Sequence, residues 1–119
     1  MLKIIDLAHA RSIPMDGGRG RKTKLVDASL GTQAVDVHMN VLAPGGPCGK
    51  LHKHSAADNV YIVRKGVGEL IVEGETYVIR KDHIVFIPSG MTHSLSKVSS
   101  EPFEIYAPAG DQFDLIASE

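Results

Sequence analysis

Two histidines one residue apart, His52 and His54, stand just before an apolar run, Val60-Tyr61-Ile62-Val63. In an extended chain, side chains at i and i+2 project from one face, so this spacing aims both imidazoles into the same space. Imidazole is a good ligand for divalent zinc, copper, iron and nickel, and two on one face supply half of a metal site. A third candidate, His93, follows the segment Ile84-Val85-Phe86-Ile87-Pro88-Ser89-Gly90. The remaining histidines, His9, His38 and His83, stand alone on their segments and are expected to be packing or surface residues.

The elements that must position these groups read as strands. Residues 34–41 alternate, with Val35, Val37, Met39 and Val41 on one face and Asp36, His38 and Asn40 on the other. Period two over this length predicts a strand with one face buried, and the apolar face is the expected inner one. Residues 67–72 and 76–79 flank Glu73-Gly74-Glu75, a hairpin signal in which glycine supplies the turn. The short apolar run 84–87, bounded by Asp82 and Pro88, predicts a buried strand. Residues 94–98 and 102–107 alternate again, and the tail from Pro108 is turn-like.

Nearer the start, residues 3–7 predict a short first strand. Residues 11–22 are glycine-rich and basic, and read as a loop. Arg19, Arg21, Lys22 and Lys24 are expected to solvate that loop; the functional alternative is an anion-binding patch. No window carries a long amphipathic helix. Short, closely spaced strands with many glycines predict an antiparallel sandwich or barrel.

At 119 residues the chain is long enough for one domain with a working core. A formal net charge of −1 provides no global field to recruit nucleic acid or an anionic membrane. No apolar run approaches the length needed to span a bilayer. The single cysteine, Cys48, excludes an internal disulfide and suits a reducing cytoplasm, which is the expected location. Cys48 lies in a Pro/Gly-rich stretch with no local activating neighbour, so a nucleophilic role is not expected.

The spacing carries a resemblance. Gly46, five residues, His52-x-His54, four residues, position 59, six residues and Gly66 resemble the first cupin motif. Position 82, five residues, Pro88-x-Gly90, two residues, His93, three residues and position 97 resemble the second. The resemblance implies one cupin domain over 1–119, with motifs at 46–66 and 82–97, folded as an all-β jelly-roll barrel (a double-stranded β-helix). It implies one divalent transition metal, such as Fe, Zn, Ni or Mn, held by His52, His54 and His93. It also implies a homodimer, because barrels of this size often cover exposed sheet edges by pairing.

The departures bear on chemistry. The family's usual carboxylate ligand falls at position 59, here Asn59; Asp82 and Lys97 replace a glycine and an asparagine. Three neutral imidazoles leave the full +2 charge of a metal uncompensated, which favours an anionic ligand and stronger Lewis-acid character. Asn59 could coordinate through its oxygen or donate to a bound water. Asp58, one residue away, would point to the opposite side of a regular strand and reach the site only through a β-bulge. Tyr61 and Val63 share parity with Asn59, facing the expected cavity, and Tyr61 could contact a substrate or simply form the wall; Lys50 shares parity with His52 and could pair with an anionic substrate.

The resemblance implies a metal-dependent small-molecule enzyme of the dioxygenase, isomerase or lyase type. The alternative is a non-catalytic module that binds a sugar or organic acid in the barrel. A third possibility is an inactive relative kept for dimerisation or partner contact.

Overall fold

The computed structural model describes residues 2–32, 35–43, 45, 52–54, 58–97, 103–109 and 115–117. Among the described residues, eleven strands build two sheets: β1 (Ser12–Pro14), β2 (Gly20–Val26), β3 (Asp36–Leu42), β4 (His52–His54), β5 (Asn59–Lys65), β6 (Val67–Val72), β7 (Glu75–Arg80), β8 (Ile84–Ile87), β9 (His93–Lys97), β10 (Phe103–Ala109) and β11 (Leu115–Ala117). One sheet runs β1-β2-β3-β10-β5-β8, the other β11-β4-β9-β6-β7. Every pairing is antiparallel. Among the described residues the only helical pieces are short 3-10 turns, and no helix is long and apolar enough to cross a membrane.

The core lies between the sheets. Leu42, Tyr61, Val63 and Ile87 come from the first sheet and Leu70, Ile79 and Leu95 from the second. Leu70 and Leu95 are cross-strand partners, and Val72 pairs with His93 two residues further along. On the facing sheet, Leu42, Asn40 and Asp36 step along β3 in the same direction. The space between the sheets is therefore apolar toward Leu42, Leu70 and Leu95, and polar toward Asp36, Asn59 and His93.

The β6–β7 hairpin forms as the sequence predicts. Glu73 and Gly74 both adopt left-handed φ (48° and 81°), the conformation that lets a two-residue loop follow the strand twist. The strands around it match the reading closely. Toward the N-terminus the reading is corrected. Residues 3–7 form no strand; a 3-10 turn at Leu7–His9 follows, begun by the Asp6 carboxylate accepting from the Ala8 amide at 3.0 Å.

The basic segment 11–22 is not a solvated loop either. It contributes β1 and the start of β2, whose ladder with β3 runs from Gly20↔Leu42 to Lys24↔His38 before a register shift. Gly20 makes this possible. Its φ is +138°, and a β-carbon there would lie 1.9 Å from the Val41 carbonyl oxygen, so no larger residue fits.

The largest correction concerns β3. Its alternation is real, but the apolar face is not the buried one: Val37, Met39 and Val41 are half-buried, as are Asp36, His38 and Asn40. Leu42 is buried in the core at 3% exposure, and Asp36, His38 and Asn40 share its parity. The His38 side chain is only 13% exposed, so it is not a surface histidine, whereas Val35 is 46% exposed. Strand β8 is likewise half outward: Ile87 is buried, while Ile84 and Phe86 are exposed.

Candidate functional site

Strand β5 carries Asn59, Tyr61 and Val63 inward; the parity expected from the sequence holds, and all three are buried. His93 opens β9 on the opposite sheet and is 1% exposed. These residues meet across the space between the sheets. The Asn59 Nδ2 lies 3.4 Å from the His93 Nε2, and the Tyr61 ring sits edge-on to the imidazole, with centroids 6.4 Å apart at 71°.

The His93 tautomer follows from its other nitrogen. Nδ1 is 2.9 Å from the Met91 carbonyl oxygen, which can only accept, so Nδ1 carries the proton and donates. Nε2 then presents a lone pair, and the Asn59 amide donates to it. A backbone acceptor that fixes one ring nitrogen and frees the other is the usual support of a metal-bound histidine. The same lone pair equally accepts from a ligand hydroxyl or amide.

The β4–β9 ladder places the His52 backbone directly opposite that of His93. His54 ends the same short strand, paired with Leu115 of β11. For these two histidines the backbone alone is described, and Lys50 and Cys48 lie outside the described residues. Asp58 does not join the site. It is exposed, and its Oδ1 accepts from the Ser89 amide at 2.9 Å, tying the start of β5 to the turn after β8. Asp82 takes a left-handed φ of 72° at the turn into β8, the conformation that the family's glycine supplies freely. His83 is exposed, and its Nδ1 accepts from the Arg80 amide at 3.1 Å.

Tyr61 belongs to the wall. Burial pushes its phenol up to about 12, against a smaller opposing effect of the Arg19 guanidinium, so the group remains protonated at neutral pH. It can donate a hydrogen bond but does not serve as a base.

The Asp36–His38–Asn40 face of β3, which shares its parity with the buried Leu42, adds groups that sequence reasoning missed. His38 Nδ1 is 3.0 Å from Asp36 Oδ1. Burial lowers the His38 pKa, and Lys22 lowers it further, against the opposing effect of the hydrogen bond that His38 donates to Asp36. Burial also lowers the Lys22 pKa, while the Asp36 charge raises it. Ala109 of β10 pairs with Asp36 on one side and Asn59 on the other, so the β3 polar row and the β5 site share one line across the sheet. The signal was present in the alternation itself: a polar face on a central strand is as compatible with a lined interior as with solvent.

A cupin-domain family model matches residues 38–108, more than half of the chain. The chain belongs to the cupin family. An uncharacterized protein of Methanocaldococcus jannaschii, MJ1618, is 25% identical over 64 residues; these make up 54% of this chain and 51% of that protein. This cupin thus spans about half the length of that relative. Among solved structures, the polyketide cyclase RemF from Streptomyces resistomycificus aligns with 100% of this chain and 87% of its own, at a TM-score of 0.83 and 17% identity. KdgF from Halomonas sp. aligns with 96% of this chain and 97% of its own, at a TM-score of 0.80 and 16% identity. At such identities the likeness is one of fold: the double-stranded β-helix expected from the two motifs is the architecture found.

Proposed function

We propose that this cupin binds a divalent transition metal between its two sheets and uses it on a small organic molecule, as a dioxygenase, isomerase or lyase. The observation that carries the reading is the His93 imidazole: buried, held by Met91 at Nδ1, and presenting the Nε2 lone pair toward the opposing sheet. His52, opposite it in the ladder, and His54 complete the proposed ligand set. When bound, the metal would supply a Lewis-acid centre with open positions for an oxygen ligand. Asn59 replaces the family's carboxylate, so the centre would retain its full charge and favour an anionic ligand. Tyr61, protonated and in the wall beside His93, would orient that ligand by donating a hydrogen bond. The polyketide cyclase among the similar structures shows an enzymatic use of the same fold, and comes to this chain only as support for that class.

Elemental analysis of untagged protein beside His52→Ala and His93→Ala tests the reading. About one metal per chain, lost in both variants, is expected. Absence of metal after incubation with iron, nickel, manganese and zinc would overturn it.

One observation favours a second reading. Asn59 already occupies the Nε2 of His93. A cupin that uses these groups to bind a sugar or organic acid directly, without metal or catalysis, would be stabilised by that ligand in the presence of a chelator. A homodimer and an intracellular setting remain part of the proposal; the exposed Ile84 and Phe86 on edge strand β8 give an apolar surface that pairing would cover.

A further inference from the structure

The basic segment that begins β2 is built into the same interior, and the function proposed above leaves it without a task. Lys22 is half-buried and stands directly opposite Asn40 in the β2–β3 ladder. Cross-strand neighbours of this kind have β-carbons about 4.5–5.5 Å apart, so their side chains act on the same small volume. Arg19, just ahead of Gly20, lies close enough for its charge to act on both Lys22 and the buried Tyr61. Arg21, by contrast, is exposed and donates to Ser12 on β1, so it is spent on the sheet's first pairing.

Among the described residues, two buried polar atoms have no hydrogen-bond partner: the Arg19 Nε, a donor, and the Asn40 Oδ1, an acceptor. Neither Arg19 nor Lys22 makes an ion pair among the described residues, and the nearby carboxylate, Asp36, is engaged by His38. Leaving such groups unpaired costs stability, and native interiors rarely keep several together without a ligand or water to satisfy them. The shortfall has a chemical signature. Two cationic donors call for an anion, and the orphan amide oxygen calls for a hydroxyl donor beside it.

We propose that Arg19, Lys22 and Asn40 form a subsite for a small organic acid that carries a hydroxyl next to its carboxylate. The carboxylate accepts from the Arg19 Nε and the Lys22 ammonium; the hydroxyl donates to the Asn40 oxygen. Asn40 and Val63 pair with the same residue of β10, Ile105, so the subsite is two strand spacings from β5, about 10 Å. Asn59 lies four residues before Val63 on β5, about 13 Å further along the strand, so the subsite is separate from the Asn59–His93 contact. The inference rests on the reading of this interior as a small-molecule site, and it names the class of molecule.

The test uses the full chain freed of metal by chelation, with binding followed by NMR titration. The probes are glycerate (both groups), propionate (the carboxylate alone) and glycerol (hydroxyls alone). Glycerate is expected to bind more tightly than propionate, and glycerol not to bind. Lys22→Met should weaken both acids about tenfold or more, with partial rescue by Lys22→Arg. Asn40→Leu should abolish the preference for glycerate over propionate while keeping the fold, judged from the dispersion of the amide spectrum. Equal binding of the two acids, or glycerate binding unchanged in Lys22→Met, would overturn the subsite. Glycerate binding that needs added metal would overturn it too, while upholding the metal centre. Binding to the chelated protein, with no metal ever taken up, would uphold the subsite and sink the metalloenzyme reading alone.

Discussion

Asn59 and His93 stand on opposite sheets, and their side chains, 3.4 Å apart, join the first cupin motif to the second across the interior, beside the β4–β9 and β5–β8 ladders. The position that commonly carries a carboxylate holds an amide, and that amide donates to the nitrogen a metal would use. A metal must therefore displace the Asn59 N–H from Nε2 as it binds.

Asn59→Glu is expected to raise metal affinity at least tenfold, because the contact then becomes an anionic ligand instead of a competing donor. Competition against a chelator of known affinity checks this. An unchanged or weaker affinity would place the metal away from position 59.

Asp58→Ala should leave metal content unchanged. Its carboxylate accepts from the Ser89 amide, so the loss appears in stability, at about 1 kcal/mol by urea denaturation. A loss of metal in this variant would return Asp58 to the ligand set.

The lowered pKa of His38 gives a pH dependence with a definite sign. The unfolded chain takes up the proton near the ordinary value of 6.5, before the folded one does. The contribution of His38 is therefore fully present above that value and is lost as pH falls from there through the lower folded value. His38→Gln should flatten the stability curve over that window. A curve as steep as that of the wild type would assign the effect elsewhere.

Gly20→Ala is expected to cost several kcal/mol, about 2 or more, since both the left-handed φ and the Val41 carbonyl oppose a β-carbon. Circular dichroism melts measure it. A neutral substitution would mean that β2 can leave β3 without loss.

Much of this was legible from residue order. The hairpin, the strand after the paired histidines and the inward parity of Asn59, Tyr61 and Val63 followed from period two and from turn residues. The side on which β3 buries its residues did not. Alternation reports that two faces differ; which one turns inward depends on what the interior holds, and here Asp36, His38 and Asn40 line it. The basic segment misled for a related reason. Glycine and lysine argue for an exposed loop, yet Gly20 serves a close backbone approach and Lys22 faces inward. In β8 the uniformly apolar run concealed that Ile84 and Phe86 are exposed.

The division of the interior into an apolar end at Leu42, Leu70 and Leu95 and a polar end at Asp36, Asn59 and His93 separates two kinds of selection. Residues at the first end hold the fold together; on the proposed function, those at the second would decide what the barrel binds. Exchanges among Asp36, His38 and Asn59 would then redirect ligand preference without emptying the core. Such a barrel can acquire a new substrate by small steps, each passing through a folded protein.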